Sequence, residues 1–148
     1  MPPAGRDWRK QVIMNYILWI TGWRMKQNVL LEKTFEFAVK SVKLARIIQE
    51  KHREYIISRQ FLKAATSIGA NSEEAVAGHS TADFVAKLTI AQKEARETKY
   101  WLRLIQASEM HDCTEHLTSL EEILRILASI ILTTKQRGEK TAKPIHNS

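Results

Sequence analysis

The sequence predicts an all-α protein, an antiparallel up-down four-helix bundle, and three observations lead to that expectation. Apolar residues recur at alternating spacings of three and four along four successive segments, the mark of helices with one buried face. The three prolines, Pro2, Pro3 and Pro144, lie at the chain ends, so nothing in between forces a helix to break. Turn signals separate the segments by only a few residues, and short links make neighbouring helices fold back on one another. With 148 residues and 44% apolar composition, the chain suits one domain with a real core.

The first helix is expected from about Val29 to Lys51, with Leu31, Phe35, Ala38, Val42 and Ala45 as its buried face. The second is expected from about Glu54 to Ala77, burying Ile57, Phe61, Ala64, Ala65, Ile68 and Ala75. Gly78 stands where a C-cap belongs, and Ser80 with Asp83 has the form of the next N-cap. The third helix is the clearest: Phe84, Leu88, Ala91, Ala95, Thr98, Leu102 and Ile105 alternate at four and three without interruption. That spacing is a coiled-coil-like seam. Asp112 and Glu115 resemble a capping box opening the fourth helix. Its apolar positions are Leu117, Leu120, Leu124, Leu127 and Ile131, flanked by Ile123 and Ile130.

Three regions are expected: an N-terminal extension over 1–24, the bundle over 25–137 and a basic flexible tail over 138–148. The extension holds a mostly apolar run from Val12 to Ile20, with Trp8, Trp19 and Trp23 nearby and Arg6, Arg9 and Lys10 ahead of it. A signal peptide has that order, but Asn15 interrupts the run and no small-residue cleavage site follows. The run is also shorter than the roughly 20 residues a membrane span needs. An ordered or partly ordered appendage is the expected form, with membrane-surface contact as the weaker alternative; Met25 offers an alternative start. No membrane partner is expected.

The net charge is +7, and its location decides what it means. Between Gln27 and Thr134, Lys and Arg balance Asp and Glu, fourteen against fourteen. The excess therefore lies wholly in the flanks, where Arg6, Arg9, Lys10, Arg24, Lys26, Lys135, Arg137, Lys140 and Lys143 oppose only Asp7 and Glu139. Such flanks bind polyanions or are simply solvated. The lone Cys113 excludes an internal disulfide and a multi-cysteine zinc site, and suits a reducing cytoplasm.

Helix three offers more apolar surface than one seam requires. Beside the seam lie Ile90, Glu94, Glu97, Trp101 and Leu104, with Tyr100 adjacent; this stripe is a candidate subunit interface. Glu94 and Glu97 stand one turn apart, about 5–6 Å at Cβ. Paired carboxylates serve acid–base chemistry where a cleft holds substrate, and no cleft is indicated. A di-iron centre would need Glu-x-x-His on two helices, and no histidine here has Glu three residues before it. The two carboxylates are instead expected to pair across an interface or with polar groups of helix two, where Asn71 and Glu74 lie. Asn71 in mid-helix is expected to fix register. Arg96, Lys99 and Arg103 form a short basic stripe that, with Lys135 and Arg137, is the candidate polyanion surface. No metal site, cofactor or catalytic residue is expected, and the chain is read as no enzyme.

Three ordered motifs carry a family resemblance. They are Arg59-Gln60-Phe61-Leu62-Lys63-Ala64-Ala65-Thr66-Ser67-Ile68-Gly69-Ala70-Asn71, Asp83-Phe84-Val85-Ala86-Lys87-Leu88, and Lys93-Glu94-Ala95-Arg96-Glu97-Thr98-Lys99-Tyr100-Trp101-Leu102. Over roughly Val29 to Thr134 the chain resembles the bacterial 23S rRNA intervening-sequence proteins. The resemblance implies an antiparallel four-helix bundle assembled as a homopentamer, with no established activity. A similar bundle serves as the accessory subunit of diversity-generating retroelements, beside a reverse transcriptase and nucleic acid. Members of another branch often carry Gly-Arg pairs where Ala75, Ala77, Gly78 and His79 stand here. The expected function is therefore an oligomeric accessory or scaffold protein associated with RNA, DNA or a nucleic-acid enzyme. The alternative is a protein–protein interaction module without a nucleic-acid role.

Overall fold

The seam of the third helix is realised in full, and the other helices arrange around it. In the computed structural model, which describes residues 7–142, α1 spans Trp8–His52, α2 Ile56–Ala77, α3 Thr81–Ala107 and α4 Thr114–Ala142. No strand occurs among the described residues. Each helix packs on the next, and α4 returns to α1, with α2 and α3 in the most extensive contact. Moving up α1 through Trp23, Lys26, Lys33 and Lys40, the partners on α4 move down through Thr134, Ser129, Glu122 and Glu115.

Phe84, Leu88, Ala91, Ala95, Thr98, Leu102 and Ile105 of α3 are all buried. They meet Phe61, Ala65, Ile68 and Ala75 of α2 and Leu120, Ile123, Leu127 and Ile130 of α4 in one core. On α1 the expected face is displaced. The buried residues are Gln27, Leu30, Thr34, Phe37, Ser41, Leu44, Ala45 and Ile48, while Phe35 is 67% exposed. The reason lies in two hydroxyls. Thr34 donates to the Leu30 carbonyl at 2.8 Å and Ser41 to the Phe37 carbonyl at 2.7 Å. A hydroxyl bonded within its own helix enters the core without an unpaired polar group. Ser58, Ser72, Thr98 and Thr134 do the same, each to the carbonyl four residues back.

The helix ends show which turn chemistry operates. Arg53 takes a left-handed conformation at φ 50° and ends α1. The Glu54 carboxylate then accepts the N–H groups of Ile56, Ile57 and Ser58 at 2.8–2.9 Å. Ser80 caps α3 by accepting the Asp83 N–H at 3.0 Å, as its spacing predicts. Gly78 does end α2, but in an extended conformation; a Cβ there would lie 2.6 Å from the Asp83 carboxylate. The capping box of α4 forms only in part. Asp112 accepts the Thr114 N–H and hydroxyl at 3.0 and 2.6 Å, whereas Glu115 reaches across to Lys40 at 3.1 Å.

Two boundaries differ from expectation. The first helix does not begin near Val29: α1 is continuous from Trp8 for 45 residues, so residues 8–24 of the extension are its first turns. The fourth helix passes beyond residue 137 to Ala142, so the expected tail begins as helix. Residues 1–6 and 143–148 lie outside the described residues. Among the described residues no helix is long and apolar enough to cross a membrane.

Two substitutions test this account of packing and capping. A Cβ on Gly69 would sit 3.5 Å from Thr34, an ordinary contact, so Gly69→Ala should stabilise the fold by about 0.5–1 kcal/mol in denaturant titration. A lower midpoint would show that α1 and α2 are closer than described. Burial opposes ionisation of Glu54, but the N–H groups of Ile57, Ser58 and Ile56 outweigh it and hold the carboxyl below its usual range. Its contribution is thus present above the unfolded carboxyl pKa and is lost as pH falls through the lower folded value. Glu54→Gln should cost ~1 kcal/mol at neutral pH and remove that part of the acid sensitivity.

Candidate interaction surface

Of the residues singled out on α2 and α3, Asn71, Glu97 and Trp101 find partners within their own helices, and Glu74 pairs from α2 to α3. Trp101 is half-buried against the core, and its indole N–H donates to the Glu97 carboxylate at 3.2 Å, one turn back. Tyr100 packs edge-on to Trp101, with ring centroids 5.0 Å apart. Asn71 donates to the Ser67 carbonyl of its own helix at 2.8 Å. Glu74 pairs with Lys87 of α3 at 3.0 Å, where the hydrogen bond, and after it the charge attraction, raise the lysine pKa. Glu94 is half-buried and Glu97 exposed. The hydrogen bonds found therefore place Asn71 as a helix-internal group and Glu97 as the anchor of Trp101.

The basic stripe of α3 divides. Lys99 is ion-paired with Glu121 of α4, so its charge is already matched, while Arg96 and Arg103 are exposed. The flanking cations, distant in sequence, meet. Arg137 of α4 stacks over Trp19 and Trp23 of α1, at 5.2 and 5.8 Å from the ring centroids. Trp23 donates to Thr134 at 3.2 Å and packs on Phe84, the centroids 5.5 Å apart. Lys26 donates to Ser129 at 2.9 Å. Lys26, Arg137 and the aromatic rings they accompany are thereby gathered at one end of the described bundle. A groove of about 500 Å³ runs there between Val12, Tyr16 and Trp19 of α1 and Thr133 and Arg137 of α4.

The surface that sequence reasoning missed is on α1. Leu31, Ala38 and Val42 are only half-buried, and Phe35 and Val39 are exposed. They form a second apolar stripe beside the core face. Ile90 and Tyr100 of α3 are exposed as well. The missing signal was the burial of Thr34 and Ser41, which makes the core stripe look the more polar of the two.

Among the described residues, no three His, Cys, Asp or Glu side chains converge as metal ligands. His111 and His116 lie edge to face with centroids 6.5 Å apart, and burial lowers the His116 pKa. Cys113 is buried; burial, reinforced by the Asp112 charge, pushes its thiol up to about 11.

The sequence profile of the 23S rRNA-intervening sequence proteins matches residues 26–132. The chain belongs to this family. Among solved structures it is similar to a protein of unknown function from the S23 ribosomal protein family of Bacteroides thetaiotaomicron VPI-5482. The two are 42% identical, with a TM-score of 0.70, over 72% of this chain and 98% of the other. None of the curated proteins compared with the chain is similar to it. The family match takes in the α1 stripe, the α2–α3 cluster and both short basic positions of α3. It leaves the first part of α1 and the end of α4 as additions of this chain.

Cys113 provides a direct check on the geometry. A thiolate is the reactive form, so thiol reagents at neutral pH should label the folded protein at least about tenfold more slowly than the denatured chain. Equal rates would place Cys113 at the surface.

Proposed function

We propose that this family member is a non-enzymatic, self-assembling accessory or scaffold protein that associates with nucleic acid or a nucleic-acid enzyme. The observation that carries the reading is the second apolar stripe of α1, with Phe35 67% exposed inside the family-matched region. Aromatic and aliphatic groups left uncovered along a helix in this way favour burial between copies. The opposed order of α1 and α4 contacts and the short connections support an antiparallel up-down bundle as the protomer. Ile90, Tyr100 and the Trp101–Glu97 pair extend the candidate interface onto α3, and the family resemblance supports a pentameric ring.

Association with a polyanion is supported by the gathered charge of Arg24, Lys26, Lys135 and Arg137 and by exposed Arg96 and Arg103. Phosphate contacts of this kind act through released counterions and weaken steeply with salt. The buried free thiol suits a reducing cytoplasm. If the apolar stripes alone carry function, the protein is an interaction module that binds a protein partner and ignores nucleic acid.

Light scattering on the full chain tests assembly: several copies per particle are expected, and a Phe35→Glu/Val39→Glu variant should fall to the monomer with its helicity intact. A monomeric parent chain contradicts the reading. Titration with structured RNA tests the partner. Moving from 50 to 200 mM salt should weaken binding by roughly a hundredfold or more, and absence of retention at low salt favours the interaction module.

A further inference from the structure

The first turns of α1 carry an apolar surface that lies outside the family-matched residues. Every residue from Asp7 to Leu18 is exposed. On the side of α1 toward α4 lie Val12, Tyr16 and Trp19, which line the groove with Thr133 and Arg137. Rotation of about 100° per residue turns Ile13, Met14 and Ile17 to the opposite side, with Leu18 at its edge, bordering a second groove with Thr133. These four are between 51% and 62% exposed. Lys10 and Arg24 fall on the same side, one at each end of the stripe. No polar side chain interrupts the four residues on that face.

We infer that this stripe lies on the surface of an anionic lipid bilayer. The choice among occupants follows from charge and apolarity together. In the described flanks Arg9, Lys10, Arg24, Lys26, Lys135 and Arg137 outnumber Asp7 and Glu139, so a second copy of the same end would bring like charge against like charge. A nucleic acid satisfies the cations but leaves four aliphatic side chains in water. A bilayer with acidic headgroups takes both: the aliphatic groups enter the acyl boundary while Lys10 and Arg24 extend their stems and keep their charges among the phosphates. The apolar run is too short to span a bilayer; a stripe that lies in the interface needs no spanning length.

The inference goes beyond the proposed function: it shares Arg24 with the polyanion surface, but its apolar stripe precedes the family-matched residues, so loss of vesicle binding and loss of RNA binding are distinguishable. The full chain is mixed with vesicles of phosphatidylglycerol in phosphatidylcholine, or of phosphatidylcholine alone, and sedimented. It should sediment with the acidic vesicles and stay largely in solution with the neutral ones. Ile13→Asp/Ile17→Asp should reduce partitioning at least about tenfold while the melting curve, set by the core, is unchanged. Lys10→Glu/Arg24→Glu should reduce binding to acidic vesicles by a similar factor. Failure of the full chain to bind either vesicle overturns the inference. So does a full chain that binds structured RNA but no vesicle, or an Ile13→Asp/Ile17→Asp variant that loses subunits and partitions into vesicles as the parent does.

Discussion

Each helix of this protein presents one stripe that its neighbours can cover, and the structure is organised by which stripe that is. Four helices packed in a closed order bury one face apiece; whatever else is apolar must remain outside. The buried faces are fixed by close fit between α2 and α3, where Ala64, Ala65, Ala91 and Ala95 are buried with larger Phe61, Ile68, Leu88 and Leu102. Small residues let the backbones approach, and the large ones fill the layers between them. On this frame α1 is constrained to offer Leu30, Phe37, Leu44 and Ile48 inward, and its remaining apolar residues become surface.

The helices and their order were legible from periodicity, because long segments with a strong repeat leave few alternatives. The seam of α3 was legible to the residue, since every one of its positions is apolar or a threonine between apolar neighbours. The face of α1 was not. Its true stripe contains Gln27, Thr34 and Ser41, and a reading that equates hydroxyls with solvent prefers Leu31, Phe35, Ala38 and Val42. Two hydrogen bonds to carbonyls four residues back reverse that preference, and they belong to the helix rather than to the residue types. The Glu54 cap was hidden for a related reason: a carboxylate that receives three N–H groups of the next helix has no fixed motif. The start of α1 was also missed, because a run apolar on nearly all sides has no helical contrast to read.

The candidate site was legible in part. The motif residues Glu94, Glu97 and Trp101 were correctly placed beside the seam, but spacing alone does not reveal that Trp101 already has Glu97 as its partner, nor that Lys99 is taken by Glu121. Charge was easier. Its confinement to the two flanks is a property of the sequence, and the contact of Arg137 with Trp19 and Trp23 brings those flanks together. The result is a molecule with a nearly neutral body and one basic, aromatic end, which separates the surface suited to assembly from the surface suited to an anionic partner.

The central claim is that Phe37 belongs to the protomer and Phe35 to an interface. The most direct measurement is equilibrium unfolding of Phe37→Ala and Phe35→Ala at low and high protein concentration. Loss of the core ring should cost about 3–5 kcal/mol at either concentration. Loss of the outer ring should cost less than about 0.5 kcal/mol in dilute solution and progressively more as copies associate, by mass action. Equal, concentration-independent losses for the two variants would contradict the account, since both rings would then sit inside one chain.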